Sequence, residues 1–444
     1  LANGPYLLHT RIQTGHWQDD RNWFQSADDA SESYVIGRVL QSRQHGMLSN
    51  NCFMGRFQST TPELILGEAG GDSAYQYLLI EPNSTSPQAI YIPYLAQAGA
   101  SGLLFSAIDA LCGHKASLNV LHGANAALSA LVLAAICWLF AKEFGLLPAI
   151  FACGAILLTG WIVGLGRNLY WVIWTLYLPF LIVFYNLFKE FSFKHKTKPW
   201  IGYSLLFCAL VFRFLCGLEY FTTVLVSMTV PLFYYAIQYK LSFVSFCKRF
   251  AWLTTLGFAS LIAAVAVWIL QLYGVFHQFS LVFTFIQYTA GKRTVAFSGH
   301  ASTALEDLMS RAQNAQMPEG LIYYLARVSK THQLEAFTRS LEASLAEVLR
   351  LYVARGFWVF IAMFLICTLT LILSNRFQKY TGLWTATAIS LLAPISWFVL
   401  AQAHCYIHTH LNYMLWFIPY VPLLFVLIGQ LGQDLCTHRH KNRG

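Results

Sequence analysis

The chain has 444 residues, of which 57% are hydrophobic, 16% aromatic and only 11% charged. About 25% charge is usual for a soluble domain, so this chain lacks the charge to cover a water-facing surface and lipid must solvate much of it. Its net charge of +9 falls in short basic clusters between apolar runs, the pattern of cytoplasmic membrane loops. No basic–aromatic nucleic-acid module occurs.

Roughly the first 95 residues are polar and loop-like, and the chain opens at Leu1; a membrane span ahead of it is expected. Two acidic groups stand here, Asp19-Asp20-Arg21 and Asp28-Asp29-Ala30-Ser31-Glu32. The spacing of Tyr34, Val35, Arg38 and Val39 predicts a helix start, with Ser31 as its cap and acids in the first turn. Asp28 or Asp29 would then act as a cap, contributing about 1 kcal/mol. The same carboxylates suit a general base, which must come within hydrogen-bond reach of an acceptor hydroxyl, or a ligand for a divalent metal. The Gly/Ala-rich run 96–112 reads as a helix on the membrane surface.

A hydrocarbon layer of about 30 Å takes about 20 apolar residues to cross. Runs of that kind lie at 120–141, 145–166, 170–188, 201–216, 221–238, 251–275, 356–374, 383–402 and 411–431. They predict an all-α polytopic membrane protein of about nine or ten spans. Residues 1–118 form a first non-cytoplasmic segment, 119–275 and 356–432 hold the spans, 276–355 is an outer loop and 433–444 a cytoplasmic tail. Within the outer loop, Leu334, Phe337, Leu341, Leu345 and Val348 recur at helical spacing. That helix either packs on the span ends or covers a groove as a lid.

Lysines follow alternate runs: Lys142, then Lys189 to Lys198, then Lys240 and Lys248, then Lys379, then Lys441. The intervening turns are nearly free of lysine. By the positive-inside rule the first set is cytoplasmic, and the acid cluster, Arg167, Glu219 and His404–His410 share the opposite face.

Three of those outer turns hold residues suited to chemistry. Arg167-Asn168-Leu169-Tyr170-Trp171 is either an interface anchor or a guanidinium for a phosphate. Arg213 lies in a span and Glu219 follows six residues later, with Gly217 between; an intramembrane charge is a functional candidate by default. The two would meet as an ion pair or line a polar groove, with Tyr220 beside them. His404-Cys405-Tyr406-Ile407-His408-Thr409-His410 carries three histidines, suited to interface anchoring, to donation toward phosphate or hydroxyls, or to a metal. No metal-binding motif supports the last. Ten cysteines without CxxC spacing imply neither a disulfide framework nor a zinc site.

With its acidic first outer segment (Asp28-Asp29, Glu32, then Tyr34-Val35-Ile36-Gly37-Arg38 and Gly46), its many spans and its late outer histidines, the chain resembles the GT-C superfamily of integral-membrane glycosyltransferases. The resemblance covers the layout of most of the chain. It implies transfer of a sugar from a polyprenyl-phosphate carrier to a cell-envelope glycan, lipid or protein acceptor, at the periplasmic or extracellular face of a bacterial inner membrane. Asp28, Asp29 or Glu32 would take the acceptor proton or help place a divalent metal. Arg167, Arg213, His404 and His408 would hold the carrier phosphate, and Arg38, Glu219, Tyr220, Tyr406 and His410 would meet substrate. Two features depart from the pattern: the acid pair is Asp-Asp rather than Asp-Glu, and the span before it lies outside the chain. The alternatives are a transporter or flippase for a lipid-linked or anionic substrate, and a non-catalytic subunit of a membrane complex.

Overall fold

Apolar segments in lipid find no water for their peptide groups, so each must close its hydrogen bonds within a helix. The computed structural model describes residues 20–59, 76, 80, 89–193, 199–293, 358–401, 405 and 412–441, and most of them are helical. For 20–30, 59, 161, 199, 291–293, 412 and 435–441 the description is of the main chain alone.

In chain order the elements are α1 (Asp20–His45), a hairpin of β1 (Gly55–Ser59) and β2 (Ala89–Pro93), α2 (Ala100–Leu111), α3 (Leu118–Phe144), α4 (Leu146–Leu157), α5 (Gly160–Leu165), α6 (Trp174–Phe191), α7 (Pro199–Cys216), α8 (Phe221–Gln238) and α9 (Phe243–Phe276). Then come α10 (Phe279–Arg293), α11 (Trp358–Leu373), α12 (Phe377–Ser390), α13 (Leu392–Leu400) and α14 (Tyr420–Lys441). Among the described residues five stretches are long and apolar enough to cross a membrane: Leu118–Phe144, Phe221–Gln238, Phe243–Phe276, Phe377–Leu400 and Tyr413–Asp434. Shorter apolar helices accompany them. The protein is thus helical and membrane-embedded in character.

Local chemistry sets several of the boundaries. Gly145 ends α3 with φ of 96°, a backbone region open to glycine without a Cβ clash. Ser242 caps α9, its Oγ accepting from the Ser245 N–H at 3.2 Å, which satisfies one of the orphan donors of the first turn.

Three features differ from the sequence expectation. The helix carrying the acids begins at Asp20, so Asp28 and Asp29 lie in its interior and neither is the cap. The run 145–166 is broken into α4 and α5 around Thr159, and 383–402 is broken near Leu391. Finally, the first segment contains an antiparallel hairpin, registered Gly55 to Pro93 and Ser59 to Ala89. It packs under α1 where Gly37 meets the Gly55 carbonyl so closely that a Cβ would collide with it. Helix α9 grips the loop that follows: Trp268 Nε1 donates to the Leu95 carbonyl at 2.9 Å and Gln271 Nε2 to that of Ala98 at 3.2 Å. The helical segment expected at 334–348 lies outside the described residues.

The bundle has two chemically distinct ends. At the lysine-bearing end, Glu143 accepts from the hydroxyls of Tyr234, Tyr235 and Ser192 at 2.8, 3.1 and 2.7 Å. There too Arg249 forks onto Glu190 at 2.6 and 2.8 Å, Lys379 meets Asp434 at 2.6 Å and Gln430 donates to the Phe144 carbonyl. The hairpin, α1 and the turns 166–173 and 217–220 gather at the other end.

Candidate functional site

On α1, Val35, Ile36 and Val39 are buried and seat the helix, which carries Glu32 inward on an adjoining stripe. Glu32 is 5% exposed. Its Oε1 accepts the Leu169 N–H at 2.8 Å and lies 2.9 Å from His122 Nε2. His122 Nδ1 is in turn 3.5 Å from Arg167 Nη2. A guanidinium has only N–H donors, so Nδ1 is the accepting nitrogen and Nε2 carries the hydrogen given to Glu32.

The turn that supplies Arg167 and Leu169 is held from α3. Ser129 Oγ donates to the Gly166 carbonyl at 2.9 Å, and Asn125 Nδ2 donates to that of Asn168 at 2.7 Å. Asn125 Oδ1 accepts from Trp174 Nε1 at 3.1 Å. Asn168 Oδ1 accepts the N–H groups of Tyr170 and Trp171 at 3.0 and 3.1 Å, an Asx-type turn. His122, Asn125 and Ser129 therefore form one polar stripe on an apolar helix, at spacings of three and four. That spacing was visible in the sequence, yet the three residues are absent from the sequence-derived candidates. It was the signal that would have found them.

Two residues here adopt left-handed backbone: Val172 at φ 38° and Tyr220 at φ 64°. For a β-branched residue this is an outlier, and such strain persists only where the surroundings enforce it. The enforcement is visible. The Trp171 and Tyr220 rings stack at 5.6 Å, and Trp397 meets the Tyr220 ring edge-on at 5.3 Å.

Arg213, 2% exposed, donates Nη2 to the Glu219 main-chain carbonyl at 2.9 Å and Nη1 to Thr175 Oγ1 at 3.4 Å. The bond from Arg213 to the Glu219 main chain closes the 217–220 turn. Among the described residues the Arg213 Nε has no partner. Gly217 leaves room there for the Glu219 carboxylate and the Gln97 amide, both of which a Cβ would strike. Gln97 is 2% exposed, and among the described residues neither its Oε1 nor its Nε2 has a partner.

Arg38 corrects an expectation. It is wholly buried, and its guanidinium donates to the carbonyls of Ser49 at 2.7 Å, of Gly46 at 3.4 Å and of Met47. It organises the 46–49 loop and has no surface for substrate. Nearby Tyr91 donates to the Phe53 carbonyl at 2.8 Å. Burial raises its phenol above the ordinary value of 10, against the opposing pull of Arg38.

The structure thus brings Glu32, Arg167, Arg213, Glu219 and Tyr220 to one end of the bundle. Arg167 is half-buried and keeps some surface, whereas Arg213 is sealed. Asp28 and Asp29 lie one turn before Glu32 on α1, at the main-chain level. His404, Tyr406, His408 and His410 lie outside the described residues. As for a divalent metal, no three His, Cys, Asp or Glu side chains converge among the described residues. Glu32 and His122, the nearest described donors, stand beside the Arg167 cation with Oε1 already taking two N–H groups, so they do not fit one. No family model, curated protein or solved structure matches the chain.

Proposed function

We propose that the protein is a membrane glycosyltransferase that moves a sugar from a polyprenyl-phosphate carrier to a glycan, lipid or protein acceptor. It works on the face opposite the lysine-bearing turns, periplasmic or extracellular in a bacterial inner membrane. One observation carries the reading: four separate segments deliver a carboxylate, an imidazole and two guanidinium groups to a single end of an apolar bundle. A carrier lipid needs that arrangement, with a lipid-facing wall for its tail and cations where its phosphate emerges.

The chemistry follows from the parts. The acceptor oxygen bonds to the anomeric carbon while its proton passes to a carboxylate. The bond from that carbon to the phosphate oxygen breaks, and the electron pair leaves with the phosphate. Glu32 is buried and its Oε1 holds two donors, which suits it to positioning. Asp28 and Asp29, a turn earlier on the same helix, are the candidates for the base. Arg167, with surface to spare, meets the leaving phosphate, where preorganised cations contribute most. His404 and His408 are assigned as further donors to it, on the sequence alone. Arg213 and Glu219 shape the neighbouring turn.

The test replaces Asp28, Asp29 and Glu32 singly with Asn or Gln in purified protein and follows transfer from a polyprenyl-phosphate sugar. Loss of transfer with unchanged melting is expected for Asp28→Asn or Asp29→Asn. Full activity in both removes the proposed base, and no transfer from any such donor removes the enzyme reading. A second reading has its own observation. The interruptions at 158–159 and near Leu391 are features of transporters, whose substrate sites form at broken helices. Movement of a lipid-linked or anionic substrate across liposomes, without bond cleavage, would favour it.

A further inference from the structure

We infer that His122 couples the binding of a phosphate at Arg167 to the uptake of a proton. The inference rests on the reading that Arg167 meets the carrier phosphate, and it adds a residue that neither motif nor resemblance singled out.

The two nitrogens of the imidazole face different partners. His122 is 9% exposed and lies between opposite charges, with Glu32 from α1 at 2.9 Å and Arg167 from the 166–173 turn at 3.5 Å. These are the charged groups against the ring among the described residues. While Arg167 Nη2 donates to Nδ1, a proton there would face an N–H and a full positive charge. With Nδ1 accepting, the hydrogen on Nε2 is the one that goes to Glu32.

A phosphate changes the balance on one side only. Its oxygens are better acceptors for a guanidinium fork than an imidazole nitrogen is. When Nη2 turns to them, Nδ1 loses its donor and the neighbouring cation is compensated. A proton can then occupy Nδ1, and the imidazolium donates through Nε2 to Glu32 and through Nδ1 toward the phosphate. In the transfer reaction the departing phosphate gains a negative charge as the diester becomes a monoester. The imidazolium is already in place to answer it.

The experiment titrates the full chain in detergent with farnesyl methyl phosphate, a diester with no titrating proton of its own near neutrality. Calorimetry in two buffers of different ionisation heat counts the protons. The expected result is uptake of up to about one proton per ligand, with affinity tightening up to about tenfold per pH unit as pH falls through neutrality. In His122→Gln the amide can still accept from Arg167 and donate to Glu32, and the uptake and its pH dependence should vanish. Binding without uptake in the wild type, or uptake that persists in His122→Gln, overturns the coupling while leaving the phosphate site standing. If His122→Gln fails to fold, a pH-independent wild-type affinity overturns it equally. Absence of binding by the wild type overturns the phosphate reading and the coupling with it.

Discussion

Replacing Glu32 tests whether it is an anchor. Its Oε1 accepts two N–H groups, from Leu169 at 2.8 Å and His122 at 2.9 Å, in a place almost closed to water. A hydrogen bond to a charged group contributes about 1.5–3 kcal/mol. Losing both in Glu32→Ala should therefore cost about 3–6 kcal/mol, a large part of the roughly 5–15 kcal/mol that holds a domain folded. Glu32→Gln is milder, because an amide oxygen in the place of Oε1 can still accept from both N–H groups but without the carboxylate's charge, and about half that loss is expected. The measurement is unfolding of purified protein by SDS titration in mixed micelles, followed by tryptophan fluorescence. Combining Glu32→Gln with His122→Leu closes a double-mutant cycle, for which a coupling of about 1–3 kcal/mol is expected. Effects that add to within about 0.5 kcal/mol would mean that the two side chains do not hold each other, and the anchor role would fall.

Other outcomes follow from the same geometry. Gly37→Ala places a Cβ on the Gly55 carbonyl, backbone that cannot step aside; a loss of about 2–3 kcal/mol is expected in the same titration. Gly123→Ala on α3, with open space around it, should be neutral or stabilising. Tyr91 keeps its proton in the folded state above the ordinary value of 10, so above that pH the unfolded chain binds fewer protons and stability falls as pH rises. Tyr91→Phe should flatten that alkaline loss, measured as melting temperature against pH; an unchanged slope would refute the assignment. Exposed Cys112 should react with a membrane-impermeant maleimide from outside intact cells, while a cysteine introduced as Lys240→Cys should need permeabilised cells. Labelling of both from one side would end the proposed sidedness.

Much of the architecture was legible because the dominant force is one-dimensional. Apolar runs around 118–144, 221–238 and 243–276 announce helices by length and composition, and the alternation of Lys142, Lys189 and Lys240 with lysine-poor turns follows the two chemically different ends. Where function is concerned, Arg167, Arg213, Glu219 and Tyr220 stood out as polar residues at the ends of apolar runs, and they do gather. Features set by tertiary contact were not legible. The hairpin joins strands separated by a long polar stretch, so its pairing left no local signal. The breaks at Thr159 and Leu391 carry only small local marks, Thr159-Gly160 and Pro394, inside otherwise apolar runs. Arg38 was expected to meet substrate because nothing local says that three carbonyls of the 46–49 loop turn toward it. His122 was passed over, since its partners are 90 and 45 residues away.

The Glu143 cluster has a mechanical consequence. Its carboxylate gathers hydroxyls from α8 and from the C-terminal end of α6, pinning three helices at one point. From that pivot α3 runs 27 residues, about 40 Å at 1.5 Å per residue, so a tilt of about 4° swings its far tip by about 3 Å. The far half of α3 is itself tied, through His122, Asn125 and Ser129, to α1 and the 166–173 turn, so a tilt about the pivot would carry those partners with it.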